Sequence, residues 1–475
     1  MFREDLMPKS KNNTLKKTIM KKAIYTLTVL TVLSFSSCEK YLDVQPRASV
    51  SDEKTIFDNA SAQTALTGAY AALASGGYYG TTFQSIGYLN GDNILWTGSQ
   101  SQVQEFINHN VNADNSTISG AWSAIYVAIN RSNHVIKKVP LVTDPLLTQA
   151  IKDNIVGQAY FIRALAYFDL ARTWGSVPLI TEPTEAATDN SGIAKSTQQQ
   201  VYAQTLSDLE KAEPLLSETT DRYRATKKTV WALKARYYLY NRDWLNAESY
   251  ATKLIADNAN YRLLKPFGSF FQGDARGTAE SVFEIFYSAA EQNSHRGQWQ
   301  PQQNGGTRQW APNDAFVALV NNPLIGGNRS VLVAKDNQNR WYGNLYYRSP
   351  ATDPTYVIRI AELYLIRAEA RANQAPDGAT VADDKLLTAT VDLNAVRDRA
   401  GLPATTAASK ADVLLAIENE RRLEFAFEPH RWFDLVRTGR AAAVLNITDT
   451  RKYLMPLPNE QLLIDPALRP NNPGY

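Results

Sequence analysis

Cysteine is almost missing from this chain: Cys38 is the only one in 475 residues. A single thiol cannot close an intramolecular disulfide, so packing alone must hold the fold. Histidine is nearly as scarce. His109, His134, His295 and His430 are scattered, with no pair at metal-ligand spacing and no second cysteine to help, so neither zinc nor any other metal or cofactor is expected. The run Asp336-Asn337-Gln338-Asn339 lacks the glycine and closing glutamate of a calcium loop and is expected to be a turn. An excess of one charge sign is absent too. Fifty basic against forty-seven acidic residues leave +3, with no Lys/Arg run beyond the leader, which argues against a nucleic-acid partner. Nor is there a long apolar run. Ala23 to Phe35 is too short to cross a bilayer, which takes roughly 20 apolar residues, and with Met20-Lys21-Lys22 before it the segment reads as a secretory signal.

The small residues Ser36 and Ser37 before Cys38 resemble the lipobox of bacterial lipoproteins, in which the cysteine thiol is acylated and becomes the first mature residue. Residues 1–37 are then a signal peptide, with Met1 to Ile19 an upstream extension. Residues 38–475 form the mature chain.

Helical periodicity dominates that chain. A helix is expected from Ser51-Asp52-Glu53 to Leu73, another after Ser119, and a long one opened by Asp144-Pro145 and ending near Thr173. Trp231, Ala235, Tyr238, Ala247 and Leu254 fall at tetratricopeptide-like spacing, with Asn241-Arg242-Asp243 as the hairpin turn. Weaker echoes occur at Ala164/Tyr167 and Ala361/Tyr364. Degenerate repeats of this kind stack into a solenoid. Val282 to Tyr287 reads as a strand. Two stretches, about 76–118 and 263–355, are rich in Gly, Asn, Gln and aromatics and lack helical period, as functional loops do. The last 25 residues read as extended chain. The fold class is mostly α: a scaffold of helical pairs with long irregular loops and minor β structure.

The acidic run Glu420, Glu424, Glu428, Asp434 with His430 suggests catalysis at first sight. Arginines at 421, 422, 431 and 437 are interleaved with it, and Glu418/Arg422 and Asp434/Arg437 stand at helix-pairing spacing. Cationic neighbours lower carboxyl pKa values and spoil a general acid. The cluster therefore reads as a structural ion-pair network, and no enzymatic activity is expected. Sugar recognition fits the loops better, because flat aromatic faces cover apolar C–H surfaces while amides, carboxylates and guanidinium groups meet hydroxyls. Trp96, Trp310 and Trp341 are the expected platforms, with Asp92, Asn93 and Arg308 as polar partners and Tyr79 and Tyr342 beside them. About half of such loop aromatics are expected to pin loops rather than touch ligand. Trp122, Trp174, Trp231, Trp244 and Trp432 are assigned to the scaffold.

The run Glu420 to Phe425, continued by Glu428-Pro429-His430-Arg431-Trp432-Phe433-Asp434-Leu435-Val436-Arg437-Thr438-Gly439-Arg440, resembles the signature of the SusD/RagB family of outer-membrane nutrient-binding lipoproteins. Cys38 to Asp43, Arg163 to Phe168 with Trp174 to Leu179, Arg359 to Ala370, and Asn471 to Tyr475 resemble it too, in the family's order. The resemblance implies a non-enzymatic surface lipoprotein of the outer membrane, anchored through Cys38. Its expected partners are an oligosaccharide or polysaccharide and the SusC-like TonB-dependent transporter to which the glycan is delivered. A peptide-binding member of the same family and a tetratricopeptide-type adaptor are the alternatives; a glycoside hydrolase would demand turnover lost with a single carboxyl.

Overall fold

In the computed structural model, residues 55–475 except 187 are described, and residues 56–475 form one compact unit. Cys38 and the expected helix start at Ser51 lie outside them. The first described helix, α1 (Asn59–Ala74), opens on Asp58, whose carboxylate accepts from the Ser61 amide while the Ser61 side chain returns to the Asp58 amide. Three elements then fill a stretch read as aperiodic: α2 (Thr82–Leu89), β1 (Ile94–Trp96) and α3 (Ser101–Ile107).

The scaffold continues with α4 (Ser116–Lys138), α5 (Gln149–Trp174), α6 (Gln198–Leu215), α7 (Lys227–Tyr240) and α8 (Trp244–Ala256). The α5 start differs from expectation. Asp144-Pro145 stands before the helix rather than in it: the Asp144 carboxylate accepts from the backbone of Asn59 and Leu146, and the cap passes to Thr148. Tethering α1 took precedence over capping locally. The α7–α8 hairpin turns at Asn241-Arg242-Asp243 with Asp243 as N-cap, as its spacing requires.

Irregular chain follows, holding β2 (Ser281–Ile285), α9 (His295–Trp299), β3 (Trp310–Pro312), α10 (Asp314–Asn321), β4 (Val333–Lys335), β5 (Trp341–Gly343) and β6 (Thr355–Arg359). These strands form three antiparallel pairs, β1 with β3, β2 with β6, and β4 with β5. Asp336 to Asn339 make the β4–β5 turn, with Asn339 at φ 64°. The helices resume as α11 (Ile360–Gln374), α12 (Asp384–Arg399), α13 (Lys410–Glu424), α14 (Arg431–Arg437) and α15 (Ala441–Leu445). The C-terminal stretch, expected to be extended, holds the short α16 (Asn459–Ile464).

Neighbouring helices pack in one run, α1 on α4, α4 on α5, then α6, α7, α8, α11 and α12 in turn. Small residues with no exposed surface, among them Ala164, Ala235, Ala247 and Ala361, let these axes approach closely. The last link is electrostatic. Arg329, Arg359 and Arg399 lie buried among Glu280, Glu420, Glu424 and Glu428. Arg359 alone reaches Glu280 (3.0 Å), Glu424 (2.8 Å) and Glu428 (2.6 Å), joining β6 to β2, to α13 and to the turn after it. Asp434/Arg437 is paired as its spacing suggests (2.8 Å), but Glu418 engages Arg440 (2.8 Å), and Arg422 turns instead to Asp92 (3.2 Å).

Burial opposes ionisation of Glu424, yet Arg399, Arg359 and Arg329 outweigh it and hold the carboxyl at about 2, against an ordinary 4.5. Burial holds His295 neutral down to about 3, against 6.5. In both cases the unfolded chain binds the proton first as pH falls, so acid draws the equilibrium towards unfolding. Burial raises the Glu428 carboxyl and offsets part of the effect. Urea midpoints are expected to fall as pH drops below 6.5, through His295, and more steeply below 4.5, as the Glu424 contribution is lost. A midpoint constant across both windows would contradict this.

Candidate functional site

Residues 92–97 and 308–313 are zipped together. Ile94, Leu95 and Trp96 face Pro312, Ala311 and Trp310. Beyond the strands, the Thr97 amide donates to the Gln309 carbonyl (2.9 Å), the Thr97 hydroxyl to that of Arg308 (2.5 Å), and the Asn313 amide to that of Asn93 (2.9 Å). β5 runs beside β3, and Arg308 Nε donates to the Trp341 carbonyl (2.8 Å). Trp96, Arg308 and Trp341 are thereby gathered on one ledge, while Tyr342, next to Trp341 on β5, is buried at 7% exposure and reaches only the recess described below. Trp96 and Trp341 are half-buried, each with part of its ring packed on the core. Lys335 Nζ stands 4.8 Å from the Trp341 ring centroid, so part of that ring's electron-rich face is engaged.

Two local features set the ledge. Gly98 folds back against the Trp96 ring so closely that a Cβ there would lie 2.2 Å from Cζ2. Arg308 adopts φ 49°, a left-handed conformation uncommon outside glycine and strained for a long side chain. Among the described residues its only side-chain hydrogen bond is the one to Trp341, which leaves the two terminal nitrogens unpaired. Burial and the nearby Arg340 lower its pKa.

Four expected site residues are committed elsewhere. Tyr79 is buried, and its hydroxyl donates to Asp169 Oδ2 (2.8 Å), which also accepts from Tyr78 (2.6 Å). Trp310 is only 4% exposed, with Tyr88, His295 and Trp299 within 5.7 Å between ring centroids, so its ring is taken up in packing. Asn93 is buried, accepting from Arg422 Nε (2.7 Å) and donating to the Arg422 carbonyl (3.2 Å). Asp92 binds Arg431 through both oxygens (2.7 and 3.0 Å). Burial works against the Asp92 charge, but Arg431 and Arg422 prevail and keep its carboxyl below the ordinary range. Both side chains therefore tie the ledge to α13 and α14. Tyr79→Phe, by the same reasoning, should lower stability by about 1–3 kcal/mol through the lost bond to a carboxylate while leaving ligand affinity unchanged; paired urea and binding titrations check both halves.

A recess of about 520 Å³ adjoins the ledge, lined by Arg296, Gln300, Gln303, Asn304, Tyr342 and Tyr347 among others. A second, of about 430 Å³, lies beside Trp96 and is lined by Gln100, Gln104, Glu105 and Asn108. Reading the sequence by aromatics missed most of these groups. The run of amides through Gln298, Gln300, Gln302, Gln303 and Asn304 was the signal available. The arrangement offers half-exposed rings, a guanidinium and two recesses rich in amides, which suits a polyhydroxylated ligand. Among the described residues no group of His, Cys, Asp and Glu is placed to hold a metal ion.

Fold and ledge together describe a helical scaffold whose loops carry a polar, aromatic face. Residues 40–239 match a SusD-like family model described as starch-binding and associating with the outer membrane, and residues 342–447 match the SusD/RagB family model. The chain belongs to the SusD/RagB family. It is 28% identical over 520 aligned positions to the SusD-like protein P38 of Formosa agariphila, covering 94% of this chain and 98% of that protein. A SusD-like protein of Bacteroides ovatus is 24% identical, with 88% and 83% covered. Among solved structures, a SusD superfamily protein of Bacteroides vulgatus superposes with a TM-score of 0.77 at 22% identity, covering 88% of this chain and all of that one. A laminarin-binding SusD-like protein gives 0.75 at 24%, with the same coverage. These two share the fold.

Proposed function

We propose that this protein is a glycan-binding member of its family, taking oligosaccharide or polysaccharide on the ledge of Trp96, Arg308 and Trp341, with Tyr342 in the recess beside it. The observation that carries the reading is the ledge itself. Two half-exposed indoles stand on β1 and β5, which both adjoin β3, with Arg308 Nε on the Trp341 carbonyl and amide-lined recesses beside Trp96 and Tyr342. Sugar rings stack on such faces while their hydroxyls reach the amides. A family model described as starch-binding, and a laminarin-binding structural neighbour, support the ligand class.

The protein binds and hands on its ligand without transforming it. The carboxylates of the signature are paired with buried arginines, and none is held free opposite another across the ledge. Residues 38–475 form one functional domain, with residues 1–37 removed, Cys38 lipidated and the protein held on the exterior of the outer membrane. Its partner there is a SusC-like TonB-dependent transporter. Among the described residues no helix is long and apolar enough to cross a membrane. Affinity electrophoresis of the mature protein through gels containing laminarin, starch or other polysaccharides tests the reading. Retardation by at least one is expected; free migration through every one of a broad panel would reject it.

A further inference from the structure

Charge is spread unevenly over the ledge. Three cations gather about Trp341. Lys335 stands opposite it in the β4–β5 pair, exposed, with Nζ 4.8 Å from the ring centroid. Arg340 precedes it in the chain, and Arg308 Nε donates to its carbonyl (2.8 Å). A single carboxylate answers them, and Asp336 is already engaged by Arg340 Nε (2.8 Å). Among the described residues neither Arg308 nor Lys335 forms an ion pair, and the terminal nitrogens of Arg308 are unpartnered without being sealed from solvent.

The adjoining recess repeats the imbalance. Arg296 is its only charged lining residue, and its guanidinium meets the carbonyls of Asn304 (2.6 Å) and Tyr347 (3.3 Å) rather than a carboxylate. Arginines buried in the scaffold are matched, as Arg163 is by Asp208 (2.7 Å) and Arg236 by Glu362 (2.6 Å). Unmatched cations held near one another repel, and the left-handed backbone of Arg308 adds strain to that repulsion. A neutral sugar needs only rings and amides and would relieve neither. The Trp96 end is different, since its recess holds Glu105, whose Oε2 accepts from the Asn112 amide (2.9 Å) and Asn115 Nδ2 (2.7 Å).

We propose that the glycan taken by the ledge is anionic, and that its carboxylate or sulfate group sits at the Trp341 end on Arg308, with Lys335 beside it. One terminal nitrogen of Arg308 takes the charged oxygen and the other a ring hydroxyl, while the Trp341 ring covers a sugar face. Glu105 repels the charged group from the Trp96 end, which fixes the direction of the chain. The inference rests on the ledge being the glycan site and adds the charge of its ligand.

The test is affinity electrophoresis of the mature protein through alginate, polygalacturonate and carrageenan, each beside its carboxyl-reduced or desulfated form, with laminarin and starch in parallel. An acidic polysaccharide should retard it most, and removing the charged groups should weaken binding at least about tenfold, the worth of a charge-assisted contact. Loss on carboxyl reduction assigns a carboxylate, and loss on desulfation a sulfate. Arg308→Gln should weaken acidic binding by a similar factor and flatten its dependence on salt between about 50 and 500 mM. Trp341→Ala keeps every charge yet should also lose retardation, which separates a site from ion exchange with the gel. Strongest retardation by a neutral polysaccharide, or equal retardation by the charged and uncharged forms, would overturn the proposal and leave glycan binding standing. So would wild-type retardation of Arg308→Gln. Free migration through all of them, acidic and neutral, would reject both.

Discussion

Trp341→Ala is expected to weaken binding of a cognate oligosaccharide by roughly thirty-fold, the equivalent of about 2 kcal/mol for truncating a central aromatic anchor. Global stability should change little, because the ring is half-buried at the end of a short two-stranded pair. Trp96→Ala should act in the same direction, since Trp96 stands on the same ledge against the Thr97–Arg308 zipper. The informative contrast is Trp310. Its indole is buried against Tyr88, His295 and Trp299, so Trp310→Ala opens a cavity and should cost about 3–5 kcal/mol of folding stability. Lost binding in that variant would reflect a collapsed ledge rather than a lost contact. Calorimetric titration of folded Trp341→Ala and Trp96→Ala, with urea curves in parallel, separates the two. Wild-type affinity in both would reject the ledge as the ligand face while leaving the fold unaffected.

Arg359→Met is the change with the largest expected effect on stability. It removes the cation that Glu280, Glu424 and Glu428 share, all of them buried. Breaking a buried ion pair from one side costs about 3–5 kcal/mol, because the charges left behind remain out of water. Here three carboxylates lose a partner at once. Arg399 still reaches Glu280 and Glu424, but among the described residues Glu428 has no other cation. Such a loss consumes much of the 5–15 kcal/mol by which a typical domain is stable. Arg359→Lys should fall between, since an ammonium cannot match the forked contacts of a guanidinium. The urea midpoint at unchanged slope is the readout. A shift below about 1 kcal/mol would show that the network is not a principal tie between β6, β2 and α13.

The parts of the fold legible in the sequence were those set by local chemistry. The α7–α8 hairpin showed in Trp231, Ala235, Tyr238 and Ala247 because helical period and a tight turn are properties of a dozen or so neighbouring residues. The strand at Ser281–Ile285 and the Asp336–Asn339 turn were visible for the same reason. Ser/Asp start signals were less decisive. Asp144 carries an N-cap's chemistry but spends its carboxylate on Asn59, 85 residues away in the chain.

The proposed ledge was legible in residue type more than in membership. Trp310 and Trp341 are alike in composition and loop context, and each opens a three-residue strand. What separates them is that Tyr88 and His295 reach one and not the other, a tertiary fact with no local trace. Asp92 and Asn93 fit a sugar-binding pattern, yet their partners Arg431 and Arg422 stand 339 and 329 residues further along. The arginines of the signature were expected to pair with the carboxylates of the same run. Two of them hold the ledge in place instead, which ties the signature near the chain's end to residues 92 and 93.

A crystal structure of the mature protein with the oligosaccharide that retards it most is the most direct measurement. The account predicts sugar rings in van der Waals contact with Trp341 or Trp96, a hydroxyl on the Arg308 guanidinium, and the Asp92–Arg431 bridge unbroken beneath them. Sugar seated elsewhere, with both indoles bare, would contradict it.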